Sequence, residues 1–158
     1  MRVAEEFNYG GAKEILESKF SGILKEIIGI LTDPNNKINL STSGSQRDLS
    51  IQIESWFANK GWQKEKTCFS IKEFRYDLAK DNIVIEVELG HQRLVYADFF
   101  KFMMDHYKGY IPTGIMIVTG DPNKFGHTWH NSLDSTRKKI LAIKEVFHVP
   151  ILVIAVNP

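Results

Sequence analysis

Apolar residues recur at helical spacing from Ala12 to about Leu31, where Ile15, Leu16, Phe20, Ile23, Leu24, Ile27, Ile28 and Leu31 share one stripe. The pattern predicts a single long amphipathic helix, preceded by a short strand over "MRVAEEF" and set off from it by a backbone break at Gly10 and Gly11. The next stretch, "TDPNNKINLSTSGSQRD", has no apolar period and reads as a flexible surface loop near residues 32–48. Loops of that length in compact domains are frequently functional. A second helix follows at roughly Leu49 to Asn59, with Leu49, Ile53, Trp56 and Phe57 on one side and Lys60-Gly61 as its stop. Strand-like segments occupy about 66–77 and 83–89, and Leu94 to His106 is apolar nearly all round, as in a buried helix. "TGIMIVTG" and "VPILVIAV" are short apolar runs bounded by Gly or Pro, as in central strands covered on both faces, and Ser132 to Phe147 between them has a helical pattern. This order predicts an α/β fold in one domain over 1–158: a mixed sheet flanked by helices, beginning with a hairpin and finishing with a crossover.

One strand carries charges where its neighbours are apolar. In "DLAKDNIVIEVELG", residues 77–90, alternation puts Val84, Glu86 and Glu88 on one face and Ile83, Ile85, Val87 and Leu89 on the other, which is the core face. Asp81-Asn82 suits a two-residue turn, because both residues tolerate positive φ. Residue 80 then pairs with 83, 79 with 84, and 77 with 86, so Asp77 lies across from Glu86. Like charges facing each other on a sheet are destabilising. A hard divalent cation relieves the repulsion, and Mg²⁺ takes one or two carboxylates together with waters and phosphate oxygens. Periodicity also allows a plainer arrangement, in which the two glutamates line the solvent face of an edge strand and Asp77 only opens a turn.

Composition narrows the classes. At 158 residues and 43% hydrophobic, the chain supports one real core. Its 20 basic and 19 acidic residues nearly cancel, so any nucleic-acid surface must be local. The lone Cys68 excludes an intrachain disulfide and suits a reducing compartment, no apolar run reaches membrane length, and "MRVAEEFNYGG" has acidic residues where a signal peptide needs an apolar core, so none is expected. A cytoplasmic protein is expected.

Asp77, eight residues, then Glu86-Val87-Glu88 resembles the D-x(n)-(D/E)-x-K pattern of the PD-(D/E)xK nuclease superfamily, which has a restriction-endonuclease-like core. Within it, the segment is similar to the BglII/BstYI group of type II restriction endonucleases, where the spacing is the same and the strand runs on as in "ELGHQRLVYADFFKFMMDHYKG". The likeness extends through "MRVAEEF", "FANKGWQKE", "GIMIV" and "VPILVIAVNP". It implies an endodeoxyribonuclease that hydrolyses phosphodiester bonds with Mg²⁺, with Mn²⁺ as a substitute. It also implies catalytic roles for Asp77, Glu86 and Glu88, with Asp77 and Glu86 as metal ligands. Glu88 departs from the pattern: the superfamily has lysine there, the BglII group glutamine, and BamHI-like enzymes glutamate.

The same resemblance places DNA readout at the position of His91, with Gln92 and Arg93 beside it, and a site centred on GATC. Arg47, Lys37 and the serines of "STSGSQRD" suit phosphate contacts, as do Lys124, His127, His130 and Asn131, while Ser50 and Glu54 are candidates to complete the acidic site. His127 and His130 lack the further ligands of a zinc site. Cutting a palindrome in double-stranded DNA implies a homodimer, for which the helix with Val95, Phe99, Phe100, Phe102, Met103 and Tyr107 offers hydrophobes. Two other classes use the same scaffold: repair or recombination nucleases, and inactive DNA-binding relatives.

Overall fold

The computed structural model describes residues 1–40, 46–90, 93–126 and 128–158. Strand β1 (Arg2–Tyr9) is followed by α1 (Ala12–Lys19) and α2 (Ile23–Thr32), so the expected single helix is two. The break falls at Gly22, which adopts φ 84°, a conformation that a helix interior excludes and glycine tolerates. The apolar stripe nevertheless stays continuous, because Leu16, Ile23, Ile27 and Leu31 all enter the same core. Helix α3 (Gln46–Ala58) starts three residues before the position expected from the apolar pattern, and Ser41 to Ser45 of the expected loop lie outside the described residues.

The segment expected as one strand over 66–77 is divided between β2 (Gln63–Thr67) and β3 (Arg75–Lys80), followed by β4 (Ile83–Val87). Helix α4 (Val95–Tyr107) crosses to β5 (Gly114–Thr119), and α5 (Leu133–Ala142), capped by the Ser132 hydroxyl, crosses to β6 (Ile151–Asn157). This last helix stops short of the expected Phe147. The six strands form one sheet in the order β1-β6-β5-β4-β3-β2, parallel across β6-β5-β4 and antiparallel at both flanks.

Each face of the sheet carries its own core. On one side α1, α2 and α3 cover Leu78, Ile83, Ile85, Val87, Ile115 and Ile117. On the other, α4 and α5 cover Tyr76, Val84, Met116, Val118 and Val153. Strand β4 is thus central and wholly buried, and the face holding Glu86 is as enclosed as the face holding Ile85. This excludes the solvated edge strand that periodicity allowed. Burying roughly 25 cal/mol per Å² of apolar surface on both sides makes β4 a rigid place from which to project a charge.

Candidate active site

The β3-β4 hairpin follows the expected register, with Lys80 opposite Ile83, Ala79 opposite Val84 and Leu78 opposite Ile85, and Asp81 in the turn at φ 54°. Regular pairing ends there, one step before Asp77 and Glu86. Tyr76 and Leu78, two residues apart, enter opposite cores, so the alternation of β3 is interrupted at Asp77. Instead of a ladder contact, the Asp77 carboxylate accepts the Val87 backbone N–H at 2.7 Å. On the other side, the pairs Lys64 with Leu78 and Lys66 with Tyr76 leave Glu65 level with Asp77, and Glu65 takes φ 52°. Two adjacent strands are therefore irregular at one level of the sheet, the kind of local strain that gathers at functional sites.

Here a cavity of about 570 Å³ opens between the sheet, α3 and α4. Asp77, Glu86 and Glu88 line it, joined by Glu54 and Ser50 from α3 and by Asp98 and Lys101 from α4. Asp77 and Glu86 lie near enough to interact through their charges, as do Glu88 and Asp98. Lys101 Nζ lies 2.5 Å from Glu86 Oε1 and 2.9 Å from Asp98 Oδ1. Glu88 also accepts the Gly90 N–H at 2.9 Å, Ser50 donates to the Val87 carbonyl at 2.9 Å, and Glu54 pairs with Lys64 at 3.0 Å.

Burial and mutual repulsion disfavour the ionised forms of these acids. Burial, opposed by the Val87 N–H, holds the Asp77 pKa above its ordinary value. Burial, followed by the charges of Asp98 and Asp77, lifts Glu86 well above the carboxylate range. Burial and the neighbouring Asp98 push Glu88 up to about 8, and burial also raises Asp98 and Glu54. Burial works against the Lys101 ammonium, but the charges of Glu86 and Asp98 outweigh it and hold its pKa above the usual lysine value.

Among the described residues, no three acidic, imidazole or thiol groups are set to hold a metal together. Each acid has its own partner: Asp77 accepts the Val87 N–H, Glu88 the Gly90 N–H, and Glu86 and Asp98 share Lys101. The donor set still fits a hard cation. Asp77 and Glu86 supply the one or two carboxylates that Mg²⁺ takes when water and phosphate complete its shell, and Asp98 Oδ2 is buried without a hydrogen-bond donor among the described residues.

Of the residues singled out for DNA, Arg47 is exposed on the cavity wall and Arg93 is exposed just before α4, while His91, Gln92 and His127 lie outside the described residues. Lys37 and Lys124 are exposed. His130 and Asn131 are not surface groups: both are buried, His130 Nδ1 lying 2.7 Å from the Leu89 carbonyl and Asn131 donating to Thr136 at 3.0 Å. They brace the segment beyond β4. On α4, Val95, Phe99 and Phe102 belong to the core, which leaves Phe100 and Tyr107, with the unpredicted Tyr96, on the surface. Asp98 and Lys101 were missed as site residues. Their signal was a pair of opposite charges at i and i+3 among the aromatic and aliphatic residues of a largely apolar helix.

No helix among the described residues is long and apolar enough to cross a membrane. No curated protein matches the chain. A family model, restriction endonuclease BglII/BglIII, matches residues 4–156. That span takes in β2 to β5, most of β1 and β6, and every acid lining the cavity, so the chain belongs to the BglII/BglIII family of type II restriction endonucleases and is a DNA-binding endodeoxyribonuclease.

Proposed function

We propose that the chain is a Mg²⁺-dependent restriction enzyme, one nuclease domain that works as a homodimer in the cytoplasm and cuts double-stranded DNA at a short palindrome centred on GATC. The observation that carries this reading is that Asp77 and Glu86 line one cavity together with Glu88, Glu54 and Asp98. These two side chains would hold the ion, with Mn²⁺ as a working substitute. When bound, such an ion lowers the pKa of water and offsets the charge that develops on the phosphate.

The protein's own part is orientation and proton handling. The Val87 N–H fixes the Asp77 carboxylate, and Ser50 ties α3 to the end of β4 through the Val87 carbonyl. Glu88, which lines the same cavity, would take a proton from an attacking water once it is ionised. Arg47 on the cavity wall and Arg93 just before α4 are exposed, with guanidinium groups suited to phosphates, and by the family likeness His91 and Gln92 would read base edges. The palindromic target and the GATC centre rest on the likeness to the family. The homodimer rests on symmetry and on the exposed Tyr96, Phe100 and Tyr107 along α4.

Plasmid and phage DNA incubated with the protein in Mg²⁺ or Mn²⁺, followed by sequencing of the ends, tests the reading. Discrete fragments with a shared GATC-centred end, lost in Asp77→Asn together with Mn²⁺ binding in calorimetry, are the expected result. Random degradation, or cleavage and Mn²⁺ binding that survive in Asp77→Asn, overturns it. Sedimentation of the wild-type chain and of Phe100→Asp tests the dimer.

A further inference from the structure

We propose that Lys101 is the resident cation of the carboxylate site: a positioning residue on α4 that balances Glu86 and Asp98 in the metal-free protein and sets how tightly a divalent ion is held. The inference rests on the nuclease reading of Asp77 and Glu86 and names a regulator of that same site.

The Lys101 ammonium makes two ion pairs and donates one hydrogen bond. It lies 2.5 Å from Glu86 Oε1 and 2.9 Å from Asp98 Oδ1, and it donates to the Arg75 carbonyl at 2.9 Å. The residue is only 7% exposed, so the ammonium is held where solvent screens it little. Its backbone is pinned as well, since its carbonyl lies 3.2 Å from the Tyr76 hydroxyl. One residue further on, Phe102 packs against Gly114, where any Cβ would stand 2.8 Å from the ring, so α4 sits as close to the sheet as glycine allows.

The electrostatics give this placement a consequence. The strand brings no positive charge, because the position two residues after Glu86 is Glu88. The nearby Lys64 is engaged by Glu54. The charge that keeps Glu86 and Asp98 tolerable in a buried setting therefore comes from α4. A divalent ion bound to Glu86 would share that carboxylate with the ammonium and be repelled by it. Lys101 thus stabilises the empty site and weakens the filled one, so the bound ion is held no more tightly than its exchange with substrate and product requires.

Thermal unfolding in EDTA and calorimetric titration with Mn²⁺, applied to the wild-type chain, Lys101→Met, Lys101→Gln and Lys101→Arg, test the assignment without reference to cleavage. Expected are a lower unfolding temperature for the two neutral variants in EDTA, a larger rise on adding Mn²⁺ than in wild type, and Mn²⁺ affinity increased at least tenfold. Lys101→Arg, which keeps the charge, stays within a few-fold of wild type. A neutral variant that folds and binds Mn²⁺ no more tightly than wild type overturns the proposal. So does one that is unfolded in EDTA and is not restored by Mn²⁺, since a lysine with a purely structural role would produce either result. The Asp77→Asn variant separates the two readings: if it binds Mn²⁺ as wild type does, the metal site itself is misassigned, whatever Lys101 does.

Discussion

The metal-free protein should lose stability as the pH rises across the neutral range, the reverse of ordinary acid denaturation. Glu88 is the group that allows the effect to be sized. Its pKa goes from the ordinary 4.5 to about 8 in the folded chain, first because of burial and then because Asp98 lies beside it. Between those two values the folded chain retains a proton that the unfolded chain has released. Stability therefore depends on pH with a negative slope there, at most about 1.4 kcal/mol per pH unit. Integrated over the window, Glu88 removes up to about 5 kcal/mol between pH 4.5 and 8, and relaxation with water entry brings this to roughly 2–4 kcal/mol. Asp77, Glu86 and Asp98, all raised, add to the same sign. The assay is urea unfolding in EDTA at intervals from pH 5 to 8.5. The midpoint should fall with rising pH, Glu88→Gln should flatten the fall, and saturating Mg²⁺ should abolish it, since the ion then takes the place of the shared protons. A midpoint that climbs or stays level between pH 5 and 8 in EDTA, or a slope untouched by Glu88→Gln, would refute the argument.

Three further outcomes follow from the packing and charge around the site. Gly114→Ala places a Cβ 2.8 Å from the Phe102 ring and should cost about 1–3 kcal/mol, read as a lower urea midpoint at unchanged slope. Asp105→Ala removes the carboxylate that accepts the Phe69 N–H at 3.0 Å, the Ser70 N–H at 2.7 Å and the Tyr76 hydroxyl at 2.9 Å. With the Phe69 and Ser70 N–H groups then unpaired and the Tyr76 hydroxyl left only the Lys101 carbonyl at 3.2 Å, unfolding free energy should drop by about 2–5 kcal/mol, and Asp105→Asn should recover part of it. Arg47→Ala and Arg93→Ala should each reduce the dependence of log K for DNA on log salt by about one. Neither should change the unfolding temperature, because both side chains are exposed.

What the sequence disclosed and what it hid divide along a physical line. Local features were readable: the apolar runs of β5 and β6, the turn at Asp81-Asn82 and the hairpin register up to Leu78 and Ile85 all depend on neighbours in the chain. Breaks were harder. The apolar stripe from Ala12 to Leu31 keeps its period through Gly22, because two short helices on one core need the same contacts as one long helix. The interruption at Asp77 was also invisible, since it arises from a side chain capturing the Val87 N–H across the strand pair, an event that no count of alternating residues records. His130 misled for the opposite reason. A histidine in a polar loop looks like a phosphate contact, and only the fold brings it under the Leu89 carbonyl.

Helix α4 shows why charge partners cannot be read from hydropathy alone. Its buried side includes Asp98, Lys101 and Asp105, while Tyr96, Phe100 and Tyr107 stand in solvent, so its charges face inward and part of its aromatic content faces outward. An isolated charge placed in a core would shift its pKa and neutralise instead of remaining ionised. These charges are tolerated because each meets a partner: Lys101 meets Glu86 and Asp98, and Asp105 accepts from the Tyr76 hydroxyl and the N–H groups of Phe69 and Ser70. The requirement also runs the other way. A glutamate on a central strand covered on both faces needs a partner from the element that covers it, and the first helix after β4 that packs on that face is α4. Once Glu86 is known to be central, a lysine at 101 within an apolar helix ceases to be a solvated surface charge and becomes the expected complement. The acids of the hairpin and the Asp98-Lys101 pair are therefore one unit, and substitutions at Glu86 and Lys101 should be strongly non-additive in a double-mutant cycle.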